Sequence, residues 1–121
     1  LSSEITPSKE DCVNGWLPHL ASIEQAQSQL NIPVIFTEFG YRSRDYCAQE
    51  PWDSSNGGTV NLQAQQNAYE ALCFTFWDKP WFQGGFVWKW FPDHVNSGGS
   101  NDNRFTPQNK PAEIVLKGIY E

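Results

Sequence analysis

Glu38 ends an apolar run. In PVIFTEFGY, residues 33–41, Val34, Ile35 and Phe36 lead through Thr37 to a carboxylate, with Gly40 and Tyr41 just beyond. A carboxylate at the end of a buried strand, facing a cavity lined by aromatics, suits three chemistries. It can serve as nucleophile or acid in glycoside hydrolysis, as a general base, or as a metal ligand. The sequence argues against a metal: Glu38 has no H-x-x-E or E-x-x-H neighbour, and His19 and His94 lie in unrelated contexts. Phosphate chemistry would require a glycine-rich loop opening a helix with a lysine, which GGTVN at 57–61 lacks. A strand-end glutamate can also be merely solvated, and position alone leaves that alternative open.

Tryptophan weights the balance toward sugars. Trp88 and Trp90 alternate in FVWKW and so are expected on one strand face, while Tyr41, Trp52 and Trp81 sit in or beside loops. Sugars present flat C–H faces that pack on indole, and a carboxylate can attack an anomeric carbon. Core packing is the plain alternative for one of the pair. With eight Lys and Arg against fourteen Asp and Glu, the net charge is −6, which argues against nucleic acid and anionic membrane as partners and favours a neutral polysaccharide.

The elements that must position these residues can be read from periodicity. Ser8 and Asp11 resemble a helix start, and Val13, Trp16, Leu17, Leu20, Ile23 and Leu30 recur at helical spacing. Pro18 predicts a kink or restart in that helix, and Asn31 with Pro33 ends it. A strand follows from Val34, with Val34, Phe36 and Glu38 expected on one face and Ile35 and Thr37 on the other. Residues 42–60 form a long loop, and a second helix runs from about Leu62 to Asp78, with Gln63, Gln65 and Gln66 on its exposed face. KPWFQGG is expected as loop, FVWKW as the second strand, and Pro111 to about Tyr120 as a closing helix. Alternating helices and strands with strands apolar on both faces imply a parallel α/β layer, yet two strands are too few for a stable sheet.

The three cysteines show no C-x-x-C spacing, so neither a disulfide framework nor a zinc site is expected; the redox state of Cys12 and Cys47 stays open, and Cys73 reads as a buried apolar residue. No apolar run is long enough to span a bilayer. Methionine is absent even at position 1, which predicts a processed product or a piece of a longer protein.

The chain resembles the carboxyl-terminal part of a clan A glycoside hydrolase, most closely family 113, the endo-β-1,4-mannanases. The resemblance is carried by PVIFTEFGYRS at 33–43, EPWD at 50–53, NLQAQQNAYEAL at 61–72, WFQGGFVWKW at 81–90 and TPQNKPAEIVL at 106–116. It implies a (β/α)₈ barrel of which this chain supplies strands seven and eight with their helices. It also implies that Glu38 is the nucleophile of a retaining mechanism, that Trp88 is the platform beneath the sugar being cleaved with Trp90 the second choice, and that Tyr41, Arg42 and Trp52 line the cleft. No cofactor is implied. A polysaccharide substrate suggests an extracellular or periplasmic setting, although the compartment itself stays open. Lys89 departs from the pattern, since a smaller polar residue is expected between the tryptophans.

Retaining hydrolysis needs a second carboxyl about 5 Å from the first. In this clan it is a Glu after an Asn, and no Asn-Glu pair occurs here; Glu50, Glu70 and Glu113 are the remaining candidates. A barrel usually takes about 250 residues. The chain is therefore expected to be inactive alone and to expose an apolar sheet face, completed by a homo-oligomer or by a missing amino-terminal part of the barrel. Two other readings are carried forward: a non-catalytic carbohydrate-binding fragment, and a structural remnant without ligand.

Overall fold

The computed structural model describes residues 1–55 and 57–121, so residue 56 of the expected 42–60 loop lies outside the described residues. The order is α1 (Lys9–Leu30), β1 (Val34–Phe39), α2 (Leu62–Phe76), β2 (Phe82–Val87) and α3 (Pro111–Tyr120). The two strands pair in parallel.

A reciprocal cap starts α1. The Ser8 hydroxyl accepts from the Asp11 amide at 3.0 Å while the Asp11 carboxylate accepts from the Ser8 amide at 2.9 Å. α1 runs through Pro18 without the restart that was one of the two expected outcomes. Trp16, Leu20 and Ile23 pack against the core on both sides of the proline, and the Ser22 hydroxyl donates to the Pro18 carbonyl at 3.2 Å. This anchoring offsets the amide that proline cannot supply. Asn31 closes the helix in the left-handed conformation, φ 51°.

β2 begins earlier than the sequence suggests: Phe82–Val87 is strand, taking in the glycines expected as loop, and Trp88 and Trp90 fall beyond its end. The reason lies across the ladder. A Cβ at Gly85 would lie 2.9 Å from Phe39 Cδ1 and 3.0 Å from the Phe36 carbonyl oxygen, so only glycine lets the strands approach here.

The pairing is irregular. Val34 faces Phe82, Phe36 faces Gly85 and Phe39 faces Val87. Between the last two pairs β1 advances three residues and β2 two, so β1 carries one extra residue around Thr37 and Glu38. Val34 and Phe36 pack against the core and Phe39 belongs to it, whereas Thr37 and Glu38 are exposed. Glu38 thus does not share the buried side of Val34 and Phe36, as strict alternation predicts.

The core lies between the sheet and the helices. Phe36 meets Phe76 at 4.9 Å and Phe82 at 5.0 Å between ring centroids, and Trp16 meets Phe76 edge-on at 5.2 Å. Contacts of this kind add about 0.5–1.5 kcal/mol each beyond area burial. The opposite sheet face is bare, with Ile35 51% and Phe86 65% exposed. Cys12, Cys47 and Cys73 are free and buried; burial pushes their thiols up to about 11, about 12 and about 12, so they stay protonated at neutral pH.

Candidate active site

β1 delivers Glu38 at its carboxyl end, where the main chain passes through Gly40 into the long loop. The Trp88 amide donates to the Phe39 carbonyl at 2.7 Å, which ties the residue after β2 to the end of β1. A Cβ at Gly40 would stand 3.2 Å from Trp88 Cβ. The glycine therefore gives the indole its close approach to the acid-bearing strand end.

Glu38 and Trp88 line a cleft of about 530 Å³, whose remaining walls include Pro51, Trp52, Ser54, Lys89 and Phe105. Glu38 is the one carboxylate on this lining among the described residues. A second hollow, about 540 Å³, opens beside it and is lined by Trp16, His19, Phe36 and Tyr41 among others. Glu38 and Trp52 line both, so they form the ridge between the two.

Trp52 is 76% exposed on a turn in which the Asp53 amide donates to the Glu50 carbonyl at 3.0 Å. The Asp53 carboxylate accepts from the Ser55 amide at 2.8 Å, fixing the next step of the chain. An exposed indole held by a compact turn is a ready face for a flat, partly apolar ligand.

The other expected residues separate. Tyr41 is 3% exposed and belongs to the core, reaching only the second hollow; burial pushes its phenol well above the ordinary value. Arg42 is buried and bridges the two long loops: its guanidinium donates to the Asn103 and Ser54 carbonyls at 3.2 and 3.3 Å and to Asn103 Oδ1 at 3.3 Å. Burial lowers its pKa, but a guanidinium stays protonated. Arg42 thus holds Ser54 at the cleft without lining the cleft itself. Trp90 turns to another groove with Phe86, Leu116 and Tyr120 and stacks on His94 at 6.1 Å. Trp88 and Trp90 do not share a face because β2 has ended and Lys89 takes a left-handed conformation, φ 68°.

None of the candidates for a second carboxylate lines the cleft. Glu50 sits in the turn, Glu70 accepts from Gln66 on α2 at 2.9 Å, and Glu113 on α3 is held by the Asn109 amide at 2.7 Å and by Lys117 at 3.2 Å. Ser54 and Phe105 line the cleft without having been singled out in the sequence, and Lys89 stood out there only as a departure from the pattern. Phe105 had a signal, being an apolar residue isolated in a polar loop.

The loops carrying these residues are joined beneath the cleft. The fully buried Lys110 ammonium donates to Asp102 Oδ1 at 3.0 Å, to the Ser43 hydroxyl at 2.9 Å and to the Arg104 carbonyl at 3.1 Å. Gln65, expected on an exposed face, is fully buried instead. Its amide donates to the Tyr41 and Phe105 carbonyls at 2.9 and 3.0 Å, which pins α2 to both loops.

The geometry has counterparts among solved structures. The chain matches the structures described as "Complex structure of GH113 beta-1,4-mannanase" (28% identity, TM-score 0.78) and "Structure of GH113 beta-1,4-mannanase" (28%, 0.73). It also matches the GH113 beta-mannanase AaManA from Alicyclobacillus acidocaldarius in complex with ManMIm (27%, 0.75). Each match covers 89% of this chain and 35% of the other, so the chain spans about a third of the length of these relatives. No curated protein matches. The α/β unit is accordingly part of a (β/α)₈ barrel, with β1 and β2 as its strands seven and eight. The family model of Glycoside Hydrolase Family 113 matches residues 2–110, and the chain belongs to that family.

Proposed function

We propose that residues 1–121 are a partial catalytic domain, carrying the nucleophile side of the site of a retaining β-glycanase that acts on β-mannan. One observation carries the reading: Glu38, as the one carboxylate on its lining among the described residues, shares a cleft with Trp88 and the exposed Trp52. In this mechanism the Glu38 carboxylate attacks the anomeric carbon and forms a glycosyl ester while the C–O bond to the leaving group breaks. The leaving oxygen takes its proton from a second carboxyl about 5–5.5 Å away. That group, now a carboxylate, deprotonates the water that cleaves the ester and frees Glu38. Trp88 supplies the flat face beneath the reacting sugar and Trp52 closes the facing wall. Because the described residues bring no second carboxylate to the cleft, the chain does not turn over alone.

The test is Glu38→Gln in the full-length enzyme, with release of reducing ends from β-mannan as the readout. Turnover falls by several orders of magnitude while circular dichroism is unchanged; a variant that keeps its turnover defeats the assignment. The 121-residue chain releases no reducing ends, and measurable release defeats the claim that it is inactive alone.

The lone carboxylate also favours a second reading, binding without cleavage. Mannotetraose then quenches tryptophan fluorescence saturably in the isolated chain.

A further inference from the structure

Lys89 is unusual in three ways at once. It is a non-glycine residue at φ 68°, where side chains other than those of Asn, Asp and Gly are seldom found. Its ammonium lies 4.6 Å from the centroid of Trp88, over the ring nearest the acid-bearing strand end. Among the described residues it has no ion-pair partner. Backbone strain at a cleft is worth a functional explanation when an observed outlier points to one.

Lys89 also belongs to two cavities. Beside the Glu38 cleft is a hollow of about 310 Å³, the size of a small ligand site, which shares Ser54, Lys89 and Phe105 with the cleft and adds Arg42 and Arg104. Three cationic side chains line it and, among the described residues, no carboxylate does. The local balance thus runs opposite to the whole chain's −6. Two acids act on Arg42, Asp53 and Asp102, and Asp102 is 7% exposed and engaged by both Lys110 and Arg104 at 3.0 Å. Arg42 is held by the Asn103 and Ser54 carbonyls. Lys89 remains as a single ammonium at the shared wall with no ion-pair partner among the described residues.

We propose that this hollow is a subsite for a sugar unit bearing a carboxylate, adjoining the cleaved unit, and that Lys89 is the specificity-determining residue that pairs with it. The proposal rests on the reading of the Glu38 cleft as a sugar site. A single unmatched ammonium suits a monoanionic uronate better than a doubly charged phosphate ester. Cation and ring act together: a neutral sugar stacking on Trp88 must displace the ammonium and forfeit its contact with the indole, whereas an acidic unit next door gives that ammonium a partner. The substrate is then a β-mannan carrying uronate units.

The experiment is a tryptophan-fluorescence titration of the 121-residue chain with two probes, mannotetraose and the same tetrasaccharide bearing one glucuronate. The acidic probe binds at least about tenfold more tightly, as a charge-assisted hydrogen bond requires. The preference shrinks between about 0.1 M and about 1 M NaCl. It disappears in Lys89→Gln and survives in Lys89→Arg, and because Lys89 is an exposed residue both variants keep the fold, checked by circular dichroism. Equal affinity for the two probes overturns the proposal and leaves the sugar-site reading intact. A preference that persists in Lys89→Gln removes Lys89 from the role and overturns it too. A flat response to both probes defeats the sugar-site reading and the proposal together.

Discussion

A single amide, that of Gln108, shows how side chains hold the second long loop. Gln108 is fully buried; its Oε1 accepts from the Phe91 amide at 2.7 Å and its Nε2 donates to the Phe91 carbonyl at 3.0 Å. The side chain thus pairs with Phe91 as a neighbouring strand would. Gln108→Leu removes both bonds and is expected to cost about 1–3 kcal/mol, read as a lowered midpoint in urea. A variant as stable as the wild type means that water replaces the amide. The place of Glu38 near the carboxyl end of β1 was legible in the sequence because an apolar run ending in Phe-Gly reads as a strand and its exit. Gln65 and Gln108 were not, because glutamine reads as surface and its burial depends on carbonyls brought from distant loops. The Lys89 conformation was equally hidden, since nothing in the identity of a lysine announces a positive φ.

At the scale of elements, a buried ion pair within the second long loop, Lys110 with Asp102, reaches the first through the Ser43 hydroxyl. Replacing Lys110 with Met leaves the buried Asp102 to Arg104 alone, and breaking such a pair costs about 3–5 kcal/mol. Both the midpoint of unfolding and the affinity for mannotetraose are expected to fall, because Ser43 and the Arg104 carbonyl, next in the chain to the cleft residue Phe105, lose a common anchor. Loss of stability with unchanged affinity would mean that the cleft does not depend on this junction. The same region sets an acid limit. Burial acts to raise Asp102, but the Arg104 amide and the Lys110 ammonium outweigh it and hold the carboxyl below its ordinary 3.8. Burial likewise acts on Glu113, and the Asn109 amide with Lys117 holds it below 4.5. A carboxyl lowered on folding binds fewer protons folded than unfolded, so its stabilisation is full above those ordinary values. It is lost as pH falls through the lowered folded values. Thermal midpoints measured from pH 6 downward are expected to drop below about pH 4, less steeply in Asp102→Asn; identical slopes would remove Asp102 from the account. The helices were legible from their caps and periods. The second strand was placed too late because Gly84 and Gly85 look like a turn, and the need for Gly85 becomes visible only when Phe36 and Phe39 lie against it.

At the scale of the whole molecule, three helices cover one side of a two-stranded sheet and leave the other bare. Ile35 and Phe86 are large apolar residues on strands that also have open edges, an arrangement that favours association. The isolated chain is expected to self-associate, its sedimentation coefficient rising with concentration. The double variant Ile35→Thr and Phe86→Thr is expected to stay monomeric and to lose little stability, since neither side chain joins the core. A wild-type chain that sediments as a monomer at every concentration would show that the bare face is tolerated. This exposure was anticipated from the resemblance to a barrel of which the chain supplies two strands, because two strands cannot close on themselves.

The extra residue at Thr37 and Glu38 and the notch at Gly85 are two halves of one device, and together they set where inheritance can vary. Gly85 lines neither the cleft nor the hollow beside it, yet an added methyl there would push against the phenylalanines that flank the acid on its own strand. A mutational map scored by ligand binding would therefore mark an intolerant position on the strand opposite the acid. A designer who redrew the cleft residue by residue, leaving that glycine free to drift, would lose the site without having touched it.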